Sequence, residues 1–113
     1  MTKVVFYERE NGMMDGFEAA GHAGYAKRGT DIVCAAVSAL TQATANGLSE
    51  VVKAPIEGQM DEDTGYLSVK ILPAASEKIL TDAQILLKTL KMALTEISKD
   101  YPGTIRIIIR ERR

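Results

Sequence analysis

The sequence predicts an α+β fold: a mostly antiparallel sheet with two helices packed on it, in the order ββαββαβ. Three features lead to this prediction. Two pairs of short strand-like segments are each joined by a turn-like sequence, as in hairpins. Each pair is followed by a longer segment with helical apolar spacing. An isoleucine-rich run closes the chain, and a length of 113 residues suits a single domain over 1–113.

The first half is predicted to hold a hairpin, a loop and a helix. In order, they are a strand Lys3–Glu8, a turn at Asn11-Gly12, a strand over 13–21, a loop over 21–29, and a helix from about Thr30 to about Asn46. The Asn11-Gly12 pair indicates a hairpin turn because both residues tolerate positive φ. Gly47 stands where a C-terminal cap is expected.

The second half is predicted to repeat this pattern and add a strand. In order, its elements are a strand over 51–60, a turn over 61–65, a strand over 66–72, a helix from about Ala75 to Lys99, and a strand Thr104–Arg110. Pro55 removes a ladder donor, so its strand is expected at an edge or a bulge. Ile85 and Met92 lie off the main apolar stripe of the second helix, on a face that a partner chain can cover.

Composition excludes several classes of protein. The net charge of −1 gives no case for nucleic-acid binding, and we expect none. One cysteine cannot form an internal disulfide, and one cysteine with one histidine cannot build a zinc site, so neither metal nor cofactor is expected. No apolar run approaches the ~20 residues of a membrane span, and Met1 leads directly into a strand. We therefore expect a cytoplasmic protein whose thiol stays reduced.

Cys34 stands where a nucleophile would be favoured. Thr30 or Asp31 is a good N-cap, which places Cys34 in or just past the first helical turn. The unpaired N–H groups and the dipole there stabilise a thiolate and can also hold an oxyanion. Asp31, Ser38 and Thr41 share a polar stripe of the helix with Cys34, while Ile32, Val33, Ala36, Val37 and Leu40 are expected to face the core. The alternative is a buried, inert cysteine, which is a common fate of this residue.

His22, twelve residues earlier, is the natural base for this thiol. The alternative is an exposed loop histidine without a catalytic role. The loop around it is predicted to close over a peptide substrate, through Gly21, Ala23, Gly24, Tyr25 and Gly29. Asp31 has two candidate roles, capping the helix or orienting His22.

The string "GHAGYAKRGTDIVCAAVSAL", from Gly21 to Leu40, resembles the signature of the ribosomal-processing cysteine proteases, the Prp or YsxB-like family. The resemblance extends to chain length and element order. It implies an endopeptidase that removes the N-terminal extension of a large-subunit ribosomal protein, with Cys34 as nucleophile and His22 as base. It also implies a homodimer and a pocket for bulky side chains before the cut, with Ser38 as a supporting residue.

Two other classes of function remain as alternatives. A non-enzymatic, ribosome-associated module would bind the same peptide without cutting it. A thiol redox sensor would need an exposed reactive cysteine but no histidine, and this chain has no second cysteine to resolve the oxidised form. The sequence leaves open the scissile bond, the role of Asp31 and the order of the loop without substrate.

Overall fold

The computed structural model describes residues 1–112 and has the predicted order of elements. The elements are β1 Thr2–Glu8, β2 Met14–Ala20, α1 Ile32–Asn46, β3 Ile56–Asp61, β4 Tyr66–Ile71, α2 Glu77–Asp100 and β5 Ile105–Glu111. The α+β prediction is confirmed. The hairpin β1–β2 turns at Asn11-Gly12 as predicted, with Gly12 at φ 81°.

The strands form one sheet in the order β3-β4-β2-β1-β5. Three of its pairings are antiparallel, and only β5 runs parallel to its neighbour β1. The sheet is therefore mostly antiparallel, as expected. β3 is an edge strand, which agrees with the position of Pro55 just before it. This order brings the end of β2, the start of β4 and the end of β3 to one end of the sheet.

Both helices pack on one face of the sheet. Val4 and Phe6 of β1 lie on that face and are 0% exposed, whereas Lys3, which alternates with them, is exposed on the opposite face. The shared core also holds helical and strand side chains of one cluster: Phe17, Ala19, Val33, Val37, Val69, Ile71, Leu80, Ala83, Leu87, Leu90 and Leu94. Within residues 1–112 no helix lies on the opposite face of the sheet, which leaves that face open.

The predicted faces of α1 are wrong at two positions. Ile32 is 56% exposed instead of facing the core, and Thr41 is 2% exposed instead of lying on a polar surface stripe. Val33, Val37 and Thr41 point inward because they follow one another at intervals of four residues. The Thr41 hydroxyl donates to the Val37 carbonyl over 2.8 Å, so a threonine is satisfied in the core. Ser38 is exposed, as predicted.

Gly47 does not end the helix in a left-handed cap. Its φ of −62° and ψ of −41° are helical, and the chain continues through a π-helical turn, Gly47–Val51. The predicted strand over 51–60 is therefore wrong in its first half, and β3 begins at Ile56. A Cβ at Gly47 would lie 3.0 Å from Cδ1 of Leu86. This glycine instead allows α1 and α2 to approach closely.

α2 begins slightly later than predicted, at Glu77, because Ser76 caps it. The Ser76 hydroxyl accepts a hydrogen bond from the Ile79 amide over 3.2 Å. Ile85 and Met92 are 69% and 62% exposed, so their predicted place off the buried stripe is confirmed.

One helical segment of the described chain is long and apolar enough to cross a membrane by length and composition alone, Ile32–Val51, with a mean hydropathy of 1.2. By that criterion the expectation that no run approaches a span is wrong. A single such segment is weak evidence, since core helices pass the same test. Val33 and Val37 of this segment lie in the core against the sheet.

Candidate active site

Asp31 caps α1 and fixes the geometry of its first turn. Its Oδ1 accepts hydrogen bonds from the amides of Val33 and Cys34, over 2.9 and 3.0 Å. Its Oδ2 accepts from the amides of Tyr25 and Ala26, over 2.8 and 3.1 Å. The carboxylate thus ties the loop before α1 to the start of the helix. Among the described contacts Asp31 makes none with His22, so the structure places it as a cap and not as an orienting residue.

Asp31 is buried, with only 5% of its surface exposed, and yet its ionised form is favoured. Burial by itself raises the pKa of the carboxyl group. The hydrogen bonds from the backbone amides of Cys34, Ala26, Tyr25 and Val33 act in the opposite direction and hold the pKa of Asp31 below its ordinary value. The cap is therefore a carboxylate.

Cys34 lies in the first turn of α1, as the sequence predicts, and is half-buried. Its Sγ accepts a hydrogen bond from the Ala23 amide over 3.0 Å. Ala23 itself is only 2% exposed, so this part of the loop is packed against the helix. The sulfur thus stands at a helix N-terminus with a backbone donor directed at it, and both features favour negative charge on sulfur.

His22 is exposed and lines the same cleft as Cys34. Its Nε2 is 3.3 Å from the Asp63 carbonyl oxygen. A carbonyl can only accept, so this contact requires a proton on Nε2 and leaves Nδ1 as the basic nitrogen of the neutral ring. The structure brings Cys34 and His22 to one cleft, but no hydrogen bond joins them among the contacts of residues 1–112.

The cleft has a volume of about 350 Å³ and lies at the end of the sheet where β2 ends and β4 begins. Apolar side chains of the sheet and α1 lie along it, namely Ala19, Val37 and Leu67. Charged residues also line it: Arg28, Asp61 and Glu62. Such a cleft can hold an extended chain with one apolar side chain buried and its polar groups near the rim.

The predicted substrate loop lies only in part along the cleft. Gly21 and Gly29 line it, as does Ser38 of α1. Ala23, Gly24 and Tyr25 are not among the residues that line it. The Tyr25 ring packs edge-on against Tyr101, with centroids 5.1 Å apart, because the Asp31 cap holds the Tyr25 backbone on that side.

The turn between β3 and β4 is part of the site, although the sequence indicated only a solvated hairpin turn. Besides its carbonyl contact with His22, Asp63 forms an ion pair with Arg28 over 3.4 Å. Gly65 has φ 66°, and a Cβ there would lie 2.9 Å from the Gly21 carbonyl oxygen and 3.3 Å from Cε1 of His22. No spacing in the sequence signals this contact, because it joins residues about forty positions apart in the chain.

Known proteins are similar to this chain in sequence. The family model for cysteine protease Prp matches residues 1–106. The ribosomal processing cysteine protease Prp of Bacillus subtilis (strain 168) is 32% identical over 93 residues, which cover 80% of this chain and 81% of that protein.

Two solved structures have the same fold. A crystal structure of the ribosomal processing protease Prp from S. aureus, with a covalently linked product peptide, superposes with a TM-score of 0.84. It is 24% identical and covers 97% of this chain and 100% of its own. A protein from Streptococcus mutans is 29% identical, with a TM-score of 0.80 over 99% of this chain and 96% of its own.

Proposed function

Because the chain belongs to the Prp family of cysteine proteases, we propose that it removes the N-terminal extension of a large-subunit ribosomal protein. The observation that carries this proposal is the position of Cys34, in the first turn of a capped helix and in the same cleft as His22. The names of its relatives, which are ribosomal processing proteases, support the choice of substrate.

In the proposed mechanism Cys34 is the nucleophile and His22 the base. Nδ1 of His22 takes the thiol proton, and Sγ of Cys34 attacks the scissile carbonyl carbon. The amides of Val33 and Cys34 donate to Asp31, so the positive end of the α1 dipole stabilises the oxyanion. His22 then protonates the leaving amine, and water hydrolyses the thioester and restores the thiol. The ring must come closer to Sγ than in the structure without peptide, as is common for catalytic contacts.

The shape of the cleft supports a bulky side chain before the cut. Its volume of about 350 Å³ and the apolar surfaces of Ala19, Val37 and Leu67 suit burial of one large apolar group. The acidic and basic residues at the rim of the cleft can bind polar groups of the substrate on either side of that side chain.

A homodimer in the cytoplasm completes the proposal. Ile85 and Met92, 69% and 62% exposed on α2, supply an apolar surface for a second copy. Replacing both by lysine should shift the protein to monomer in light-scattering measurements, while Lys88→Ala on the same helix should not. The cytoplasmic location is supported by the thiol of Cys34, which is free in the described chain.

A cleavage assay tests the proposed function. Wild type and Cys34→Ala would each be incubated with a large-subunit ribosomal protein that carries an N-terminal extension, and product masses read. We expect a single trimmed product with wild type only. Binding of the substrate without cleavage by wild type would instead favour a peptide-binding module, and reversible thiol oxidation without cleavage would favour a redox sensor.

A further inference from the structure

The open face of the sheet carries a second cavity, of about 300 Å³, that the mechanism does not use. It lies over β4 and its two neighbours, β3 and β2. Helices cover the other face of the sheet, so this cavity is separated from the core by the sheet itself. It is lined mainly by polar and charged side chains, which distinguishes it from the apolar floor of the active-site cleft.

The strand register arranges these side chains in three rows across the sheet. Tyr66 of β4 faces Asp61 of β3 in the first row. Ser68 stands between Gln59 and Glu18 in the second. Lys70 faces Glu57 in the third. Alternate residues of a strand share a face, and each residue advances about 3.3 Å, so the groove from Tyr66 to Lys70 is about 13 Å long.

This groove is continuous with the active-site cleft. Tyr66 lines both cavities, and its cross-strand partner Asp61 also lines the cleft. An extended chain that leaves the cleft past Tyr66 would therefore enter the groove directly. A length of about 13 Å accommodates about four extended residues.

The groove has two kinds of polar side chain. The polar groups along one wall already have partners within the protein. The Tyr7 hydroxyl donates to Glu18 over 3.1 Å, and the Arg112 guanidinium lies 4.3 Å from the centre of the Tyr7 ring. The middle row is different. Within residues 1–112, neither the Gln59 amide nor the Ser68 hydroxyl makes a side-chain hydrogen bond.

Such groups suit a polypeptide main chain. An amide and a hydroxyl both donate and accept, so they can bind the C=O and N–H groups of a peptide whatever its side chains are. Lys70 and Glu57 lie at the far end and form no ion pair with each other in the described chain, so either can bind a charged substrate residue. Gly16, between Tyr7 and Lys70, carries no side chain that would obstruct this end of the groove.

We propose that this groove binds the substrate polypeptide itself, holding about four residues on one side of the scissile bond in an extended form. The proposal rests on the proposed protease function and adds a binding surface to it. The occupant follows from the shared residue Tyr66, since the chain that fills the cleft is the one that reaches the groove. Substrate selection would then depend on how far the substrate chain extends beyond the cleft, as well as on the residue before the scissile bond.

Four synthetic peptides taken from the extension test this proposal. One covers only the scissile bond and its nearest neighbours, two are longer by four residues at one end or the other, and one is longer at both ends. With wild type, we expect one of the two single extensions to lower KM about tenfold with little change in kcat, as two or three added hydrogen bonds would. Extension at the other end should have little effect.

Variants then locate the effect. Ser68→Arg fills the middle of the groove and should abolish the gain, and Gln59→Ala should reduce it about threefold. Arg106→Ala is the matched control, because Arg106 is exposed on β5 at the far side of the sheet. Neither Ser68→Arg nor Arg106→Ala should change cleavage of the shortest peptide. The proposal is overturned if no extension lowers KM, or if Ser68→Arg leaves the gain intact.

A binding measurement separates this proposal from the protease function. Fluorescence anisotropy of labelled peptides with Cys34→Ala, and with Cys34→Ala combined with Ser68→Arg, reports the groove without catalysis. If one extended peptide binds more tightly, and Ser68→Arg removes that gain in affinity, the groove proposal is supported. This holds even if wild type cuts no peptide, because the lack of cleavage would refute only the protease function. If the peptides of all lengths bind equally, the groove proposal fails while cleavage by wild type still stands.

Discussion

The backbone amide of Ala23 donates a hydrogen bond to Sγ of Cys34 over 3.0 Å. This contact joins the loop that carries His22 to the first turn of α1. Asp31 makes a second connection between the same two segments, through Tyr25 and Ala26. The thiol and its candidate base are thus held by one backbone framework, and each part of it can be tested separately.

Cys34→Ser should keep the fold and lose activity. A serine oxygen can still accept from the Ala23 amide, so we expect the Tm to stay within about 2 °C of wild type. Cleavage should fall by roughly three orders of magnitude or more, because a hydroxyl is a much weaker nucleophile at neutral pH. Melting curves and single-turnover cleavage measure the two effects. Cys34→Ala, which removes the acceptor, should have a lower Tm than Cys34→Ser.

His22→Ala should reduce kcat by about 10²–10⁴-fold, the usual contribution of a general base. The Tm should change little, because the side chain is exposed. Lys27→Ala is a matched control, since Lys27 is an exposed residue of the same loop and does not line the cleft. Equal rates for the two variants would remove His22 from the mechanism.

Gly65→Ala should impair cleavage more than it impairs stability. The new Cβ would lie 2.9 Å from the Gly21 carbonyl oxygen, so the turn that supports His22 must shift. Gly12→Ala is the control: Gly12 also has a positive φ, 81°, in a hairpin turn, but no atom lies within 4 Å of its added Cβ. Both variants carry similar backbone strain of about 1 kcal/mol. Similar kcat values for the two would show that the position of the turn does not matter to the reaction.

Asp31→Asn should lower the Tm by about 5 °C or more at neutral pH, since the amide can accept at only one of its two positions. The pKa of Asp31 is depressed in the folded state. Its ionised form therefore stabilises the fold above the ordinary aspartate pKa of about 3.9, and this contribution is lost as pH falls through the lower, folded value. The difference in Tm between wild type and variant should shrink in acid. A difference that stays constant between pH 7 and pH 2 would contradict the role of the charge.

Asp15→Asn should destabilise the protein by about 2 kcal/mol, because it weakens charge-assisted hydrogen bonds to a buried group. Asp15 is 2% exposed and accepts from Nε of Arg112 over 2.8 Å and from Nε of Arg9 over 3.3 Å. Urea unfolding measures the loss. Glu96→Gln breaks the surface pair with Lys99 and should change stability by less than about 0.5 kcal/mol. Equal effects of the two variants would rule out a special role for Asp15.

The sequence by itself determined the order of elements, a capping residue at Thr30 or Asp31, and the place of Cys34 in or just past the first turn of α1. It also indicated that the strand near Pro55 lies at an edge or a bulge. These features depend on neighbours within a few residues of each other, through side-chain periodicity, turn preferences and capping. Interactions of this kind can be predicted directly from the sequence.

Only the tertiary structure decided which distant segments meet. It placed the Asp63 carbonyl beside His22 across 41 positions of sequence, and turned Ile32 outward while Thr41 entered the core. It also kept Gly47 helical, where α1 and α2 approach each other, instead of in a left-handed cap, and it brought cleft and groove together at Tyr66. The physical reason is that these contacts follow from the strand order β3-β4-β2-β1-β5 and from helix packing against it. An apolar period reports which side of an element is buried, but not against which neighbour.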